Sequence, residues 1–264
     1  MSWGLASRLD RHAYADTQAH RLDARVKLIA VLTFIVTVVS FPKYDLAGPA
    51  PLVFFPLLLA AAARVPVRDM LIRLAAVSPF AVLIAAANPF LDTRPYLQIG
   101  TLSIAGGWIS FASVMLKFAL TVSAAMLLAA LTPMGRLAKA AVSLGVPHIM
   151  VNTLLFIYRY LFVLADEVGR MLLARRLRAP QVSRPSFATA VSMFGVLLTR
   201  SFERAERIHQ AMLTRGFDGR VRALGRSRLQ RGDALFLALT AGGCLVFRFV
   251  PVSEMLGAFL MRGI

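Results

Sequence analysis

The sequence predicts an all-α polytopic membrane protein with about five transmembrane helices and two long helices on the cytoplasmic side. Three observations carry that prediction. Of 264 residues, 58% are hydrophobic and the mean hydropathy is +0.68, more apolar than a soluble domain of this size can cover. Apolar runs that approach a bilayer-spanning ~20 residues with their flanks are separated by short turns or by basic segments. The net charge is nevertheless +17, and the cations are confined to a few segments. A nucleic-acid-binding protein would share the charge but not the hydropathy, so no nucleic-acid partner is expected and the lipid bilayer is.

The elements follow in order. Residues 1–27 form a polar N-terminal segment with Arg8, Arg11, His12, His20, Arg21, Arg25 and Lys27. No short apolar core with a cleavage site follows it, so the first apolar run is expected to be a permanent anchor. That run is Leu28–Phe41. Pro42, Gly48, Pro49 and Pro51 mark a turn, and Leu52–Ala63 is a second run, ending at Arg64. A basic linker over 64–73 precedes a third run, Leu74–Ala87, which Asn88-Pro89 stops. Residues 88–107 read as a loop, and Trp108–Leu131 is a fourth run, long enough to span with some tilt. Residues 28–132 thus form a four-helix membrane region. Residues 133–232 form a basic cytoplasmic region, opened by an amphipathic stretch with Arg136 and Lys139. The last segment, 233–264, contains the apolar run Ala234–Val250.

Orientation follows from the cations. More than half of the 30 Lys and Arg residues lie in 133–232, whereas the loops at 42–51 and 88–107 hold only Lys43 and Arg94. Five spans with a cytoplasmic N-terminus place every basic segment inside. Ile149–Ala165 is apolar enough to imitate a span, and Phe187–Leu198 is a weaker imitation. If both crossed, Arg170, Arg175, Arg176, Arg178 and Arg184 would crowd one external loop, against the same rule. Asn152, Arg159 and Asp166 recur every seven positions and give the first of these helices a polar stripe. It is therefore expected to lie against apolar protein or in the interface.

The second long helix has a start signal in Pro185-Ser186, with Ser186 able to cap the orphan amides. It turns amphipathic after Arg200, carries Glu203 and Arg207 in the favoured i,i+4 order, and reaches a stop signal at Gly216. Each long helix closes on a small residue and an arginine: Ala174-Arg175-Arg176 in one, Thr214-Arg215-Gly216 in the other. A cation at a helix C-terminus complements the macrodipole, which by itself accounts for a single such ending. The repetition is what stands out, because an exposed guanidinium can fork onto a partner's carboxylate in a way lysine cannot.

Other residues carry less. Cys244 is the one cysteine, so no disulfide framework or cysteine metal site is expected. His12 and His20, near Asp10, Asp16 and Asp23, lack the spacing of a ligand pair and read as a solvated tail. Lys117 lies within the fourth span, where it is functional, faces packed protein, or snorkels toward the outer surface. The scattered methionines read as packing residues.

The residues resemble the transmembrane (T) component of an energy-coupling factor (ECF) transporter, an ABC-type importer, of the cobalt type called the CbiQ family. The resemblance rests on Leu22-Asp23-Ala24-Arg25-Val26-Lys27-Leu28, Leu144-Gly145-Val146-Pro147, Tyr158-Arg159-Tyr160 and Ala174-Arg175-Arg176. It continues through Glu203-Arg204-Ala205-Glu206-Arg207-Ile208 into Ala211-Met212-Leu213-Thr214-Arg215-Gly216-Phe217. Two departures are Thr214 where alanine is usual and Ala24 where proline is common.

The resemblance implies that the long helices are coupling helices whose arginines dock into two cytoplasmic ABC ATPase subunits. Ala174, Arg175, Arg176, Thr214, Arg215 and Gly216 would form the docking points, with Arg159, Glu203 and Arg207 supporting the helices. It further implies a membrane substrate-binding subunit and a small accessory membrane subunit as partners, cobalt as substrate, and the bacterial cytoplasmic membrane as location. Nickel or another ECF substrate is the alternative.

An integral-membrane enzyme is the rival class, and the sequence lacks the clustered carboxylates or His/Asp set it needs. No Gly-rich phosphate loop is present either, so the chain is expected to be non-catalytic, with ATP and Mg used by the partner subunits. A permease that binds its own substrate would need interior charges or broken helices at a midplane site, which no span displays conspicuously.

Overall fold

The computed structural model describes residues 22–92, 95–99, 102–179, 186–219 and 231–249. These fall into two compact units. One holds the described residues through Ala140 and from Arg231 onward; the other holds Ala141 to Gly219.

In the first unit, α1 (Ala24–Val39) is followed by a 3₁₀ turn (Ala50–Val53), α2 (Phe54–Ala63) and α3 (Val67–Ala85). Next come α4 (Ala87–Leu91), a hairpin of β1 (Pro95–Ile99) and β2 (Leu102–Ala105), and the central helix α5 (Gly106–Leu131). The strands pair antiparallel, with Ile99 opposite Leu102. An amphipathic α6 (Met134–Ser143) leaves this unit, and α9 (Arg231–Phe249) rejoins it.

The all-α expectation holds for the described residues, with corrections at element boundaries. The span expected from Leu28 starts four residues earlier, because Asp23 caps the helix by accepting from the Arg25 amide at 2.9 Å. Ala24 is the first helical residue, the position where proline is also well tolerated, so its departure from the family pattern leaves the helix start intact. The supposed linker 64–73 is mostly helix: the chain turns at Arg64 in the left-handed region (φ 53°) and α3 begins at Val67. Of the expected loop at 88–107, residues 88–91 belong to α4, 95–99 and 102–105 to the two paired strands, and 106–107 to α5.

Among the described residues, four segments are long and apolar enough to cross a membrane: Val67–Phe90, Gly106–Leu131, His148–Arg178 and Gly232–Phe249. The 16-residue α1 and the apolar Ala50–Ala63 are shorter.

Helix α5 is central because one of its faces is small. Gly106, Gly107, Ser110, Ser113, Ser123, Ala124 and Ala130 are all buried, which lets neighbouring backbones approach closely. At Gly107 a Cβ would come within 2.5 Å of the Asn88 carbonyl oxygen and 2.7 Å of that of Asp92, so only glycine fits. Two apolar clusters flank this helix. Val31, Phe34, Val38 and Cys244 pack with Leu120 and Ala124 on one side, and Leu59, Met70, Leu127 and Leu131 meet on the other.

Polar ties close both ends of α1. At its start the Asp23 amide donates to Asp233 Oδ1 at 2.8 Å, and Lys27 Nζ donates to the Leu131 carbonyl at 3.2 Å. At its end Lys117 Nζ donates to the carbonyls of Phe41 (2.7 Å) and Pro42 (3.0 Å), while Arg248 reaches Ser40 Oγ at 3.1 Å. Lys117 therefore packs against protein: it donates to two carbonyls of the turn just past the end of α1, where its charge also complements the negative end of the helix dipole.

Replacing Lys117 with Met removes both bonds while keeping the stem. Thermal unfolding of the detergent-solubilised protein should register a loss of about 1.5–3 kcal/mol, with Lys117→Arg losing less.

Candidate functional site

The second unit is built from α7 (His148–Arg178) and α8 (Phe187–Thr214). Ser186 Oγ accepts from the Thr189 amide at 3.3 Å, as its capping role requires, and lets α8 begin at Phe187. At the far end Gly216 takes φ 75°; its amide donates to Leu213 O at 2.9 Å and the Phe217 amide to Met212 O at 3.0 Å. That pair of bonds is a Schellman motif, and Arg215 is its C-cap residue. The first basic ending differs from the expectation. Helix α7 does not stop at Arg175-Arg176 but continues to Arg178, with Ala179 as C-cap.

The two helices run antiparallel. Asn152, near the start of α7, donates through Nδ2 to the Gly219 carbonyl beyond the end of α8 at 2.6 Å. Glu167, two-thirds along α7, meets Arg200, midway along α8, at 2.7 Å. Between these ties lies a groove of about 380 Å³ lined by Phe156, Tyr160, Leu164, Phe202, Ala205 and Ile208 among others.

It follows that Arg175 and Arg215 lie at opposite ends of the pair. Arg175 is eight residues beyond Glu167, and Arg215 fifteen beyond Arg200. At 1.5 Å per residue the two tips are on the order of 35 Å apart along the pair.

The sequence-predicted residues are distributed along this frame. Ala174, Arg176, Thr214, Arg215 and Gly216 are exposed and Arg175 is half-buried. Thr214 Oγ1 donates back to the Ala211 carbonyl at 3.0 Å, so the hydroxyl is absorbed by its own helix. Glu203 and Arg207 form an exposed pair at 3.7 Å, which contributes little to stability. Arg159 is exposed and lies 5.9 Å from the Tyr160 ring centre. The heptad stripe is not uniformly covered along its length: Asn152 is buried, whereas Arg159 and Asp166 are exposed. The N-terminal histidines and Asp10 and Asp16 lie outside the described residues.

The residue that sequence reasoning missed is Glu167. Its side chain is 12% exposed and faces three arginines: Arg170 on its own helix at 2.7 Å, Arg200 at 2.7 Å and Arg204 at 3.9 Å on α8. The signal was available. Positions 152, 156, 160, 164 and 167, at steps of four and three, form the inward face, and the acid on it is Glu167 rather than Asp166. The Arg170 hydrogen bond first, and then that from Arg200, hold the Glu167 carboxyl below the ordinary glutamate value of 4.5.

Comparison with known proteins finds a family and several relatives. The family described as cobalt transport protein, CbiQ, matches residues 15–224. The cobalt transport protein CbiQ of Rhodobacter capsulatus is 28% identical over 216 residues, covering 80% of this chain and 84% of that one. The energy-coupling factor transporter transmembrane protein EcfT of Limosilactobacillus fermentum is 29% identical over 221 residues, 77% and 81% of the two chains. An uncharacterised protein of Methanocaldococcus jannaschii is 28% identical over 229 residues, 82% and 77%.

A lowered folded-state pKa means that the Glu167 contribution is complete above pH 4.5 and is lost as the pH falls through the lowered value. Hydrogen exchange of the α7 and α8 amides should therefore be flat from neutral pH to about 4.5, apart from the intrinsic pH dependence, and speed up only below. Glu167→Gln should raise exchange in both helices already at neutral pH.

Proposed function

We propose the following function for this chain, which belongs to the CbiQ family of cobalt transport proteins: it is the energy-coupling transmembrane subunit of an ECF-type importer for cobalt. In this role it carries ATP-driven motion from two cytoplasmic ABC ATPase subunits to a substrate-binding subunit in the membrane. The observation that carries the reading is the antiparallel α7/α8 pair, with Arg175 toward one end and Arg215 at the other. Tips on the order of 35 Å apart suit two docking points on two separate subunits. A parallel pair would have brought both arginines to one place.

The charge distribution supports the same topology. A cytoplasmic N-terminus, four spans through Leu131, α7 and α8 on the cytoplasmic side, and α9 as the last span keep the basic segments inside. Helix α7 is apolar enough to cross. Crossing would, however, carry Arg170, Arg175, Arg176 and Arg178 to the opposite face. In the coupling role its apolar surface, and that of α8, which buries no residue among those described, is there to be covered by the substrate-binding subunit. The small accessory membrane subunit completes the assembly, and the cytoplasmic membrane of a bacterium is where it would reside.

The mechanism is mechanical and needs no chemistry from this chain. ATP binding closes the ATPase pair, and grooves that hold Arg175 and Arg215 move toward each other. Arg215, exposed at the C-cap of α8, and Arg175, half-buried in the last turn of α7, each carry a guanidinium whose fork matches the carboxylate of an acidic residue. Helices held at both tips must then tilt or slide, and their apolar faces transmit the motion. Cobalt as cargo rests on the family description and on the name of the Rhodobacter capsulatus relative.

Charge reversal tests the docking. The double variant Arg175→Glu/Arg215→Glu should enter the membrane normally yet fail to co-purify with the ATPases, each single variant losing about 2–5 kcal/mol of binding. Normal complex and normal uptake in the double variant would sink the reading. Uptake of labelled cobalt against labelled nickel by cells expressing the whole complex should favour cobalt.

A further inference from the structure

We infer that Glu167 is the pawl of a two-position ratchet between the coupling helices, with Arg200 and Arg204 as its two stops. The inference rests on the coupling function proposed above. It extends that reading by naming the residues that set how far α7 and α8 can slide.

Apolar packing does not fix the register of the pair. Among the described residues α8 buries none, so it has no knob locked into a hole on α7. Glu167 is one of the three residues that α7 buries, with Val151 and Asn152. Its carboxylate faces Arg200 and Arg204, the middle two of four α8 positions that recur every four residues: Val196, Arg200, Arg204, Ile208. The two middle positions are cationic and the two outer ones apolar, so the row offers two ionic stops and no third.

In the structure Glu167 Oε1 accepts from Arg200 Nη1 at 2.7 Å, while Arg204 Nη2 stands 3.9 Å from Oε2. The second stop is already adjacent. Arg170 lies on the same helix as Glu167, 2.7 Å from Oε2, and travels with it in either register, so the carboxylate is never left without a guanidinium. Packed elements that move by a whole helical turn between discrete contacts are a known form of switching. Here a four-residue shift replaces one arginine by another of the same chemistry.

The direction of the shift is set by the antiparallel arrangement. Moving Glu167 from Arg200 to Arg204 leaves eleven residues to Arg215 instead of fifteen. The distance between the Arg175 and Arg215 tips then shortens by about 6 Å, four residues at 1.5 Å each. Shortening is the sense in which closing ATPases would drive the pair. The Asn152–Gly219 bond belongs to the long register and is released in the short one.

Spin labels at Leu177 and Gln210, both exposed, would read the span. The label pair is placed in a Cys244→Ala background, since Cys244 is the one native cysteine. Distances are measured by pulsed electron spin resonance on the complete transporter, with and without a non-hydrolysable ATP analogue. The span should shorten by about 6 Å on nucleotide binding. Arg204→Gln should keep the ATPases bound but hold the span at its long value, and Arg204→Lys should restore the shortening. Arg200→Gln should populate the short span without nucleotide.

A wild-type span that does not change, or an Arg204→Gln span that shortens as in the wild type, would overturn the ratchet while leaving the coupling function in place. Failure of the wild-type chain to bring down any ATPase would instead remove the coupling function, and the ratchet with it.

Discussion

A carbonyl or amide left without a partner inside lipid costs several kcal/mol, and the first unit is organised by that constraint. Helices satisfy their own interiors, so the difficulty collects at their ends. Where the chain leaves α1, two cations borrowed from elsewhere meet its carbonyls: Arg248 of α9 reaches that of the C-cap Ser40, and Lys117 of α5 those of Phe41 and Pro42. Its first residues are held by the Asp23 cap, and Asp233 of α9 accepts the Asp23 amide. Some hydroxyls within the spans turn back onto their own helices, as Thr37 does to Thr33 and Thr240 to Phe236, both at 2.8 Å, while Ser113 of α5 donates to the Asp45 carbonyl. These ties explain why the charged residues in the apolar segments are structural, and why α5, with its small-residue face, can sit at the centre.

The second unit follows a different rule. Its helices carry the charge that the spans exclude, and little apolar burial holds them to one another. A single acidic side chain gathers three arginines and so sets the relation of α7 to α8. An ion pair of this kind, partly open to solvent, is a modest contribution to stability but a sharp determinant of register, because it has discrete partners along the helix. A membrane unit tied at its helix ends and a loosely packed, arginine-rich pair suit the proposed task of transmitting motion. The sparing core of the pair leaves its apolar surface for other subunits.

Much of this was legible in the sequence, for physical reasons that differ from place to place. Run length and cation placement read well because they reflect the bilayer, which acts on every residue alike. Ser186 and Gly216 read well because capping is local chemistry. The start of α1 was misplaced because Asp23 was weighed as charge and not as a cap. The hairpin at 95–105 was missed because its neighbours' proline and glycine suggested only a loop. Glu167 was missed because a seven-residue count from Asn152 lands on Asp166, about 100° away on the helix, whereas the three–four series through Phe156 and Tyr160 lands on Glu167. The short proline-bearing linker 177–186 between two long helices already suggests a hairpin or a crossed pair, but the residues that meet across it, Glu167 and Arg200, are set by tertiary packing that no local pattern announces.

The account stands on two arginine tips engaging two separate ATPase subunits. The most direct measurement is site-specific photo-cross-linking in the membrane from positions 174 and 214, armed singly and together. The account predicts one ATPase captured from each position and, with both armed, a species containing this chain and two ATPases. Capture of lipid or membrane protein alone from both positions, or of one and the same ATPase copy by both, would contradict it.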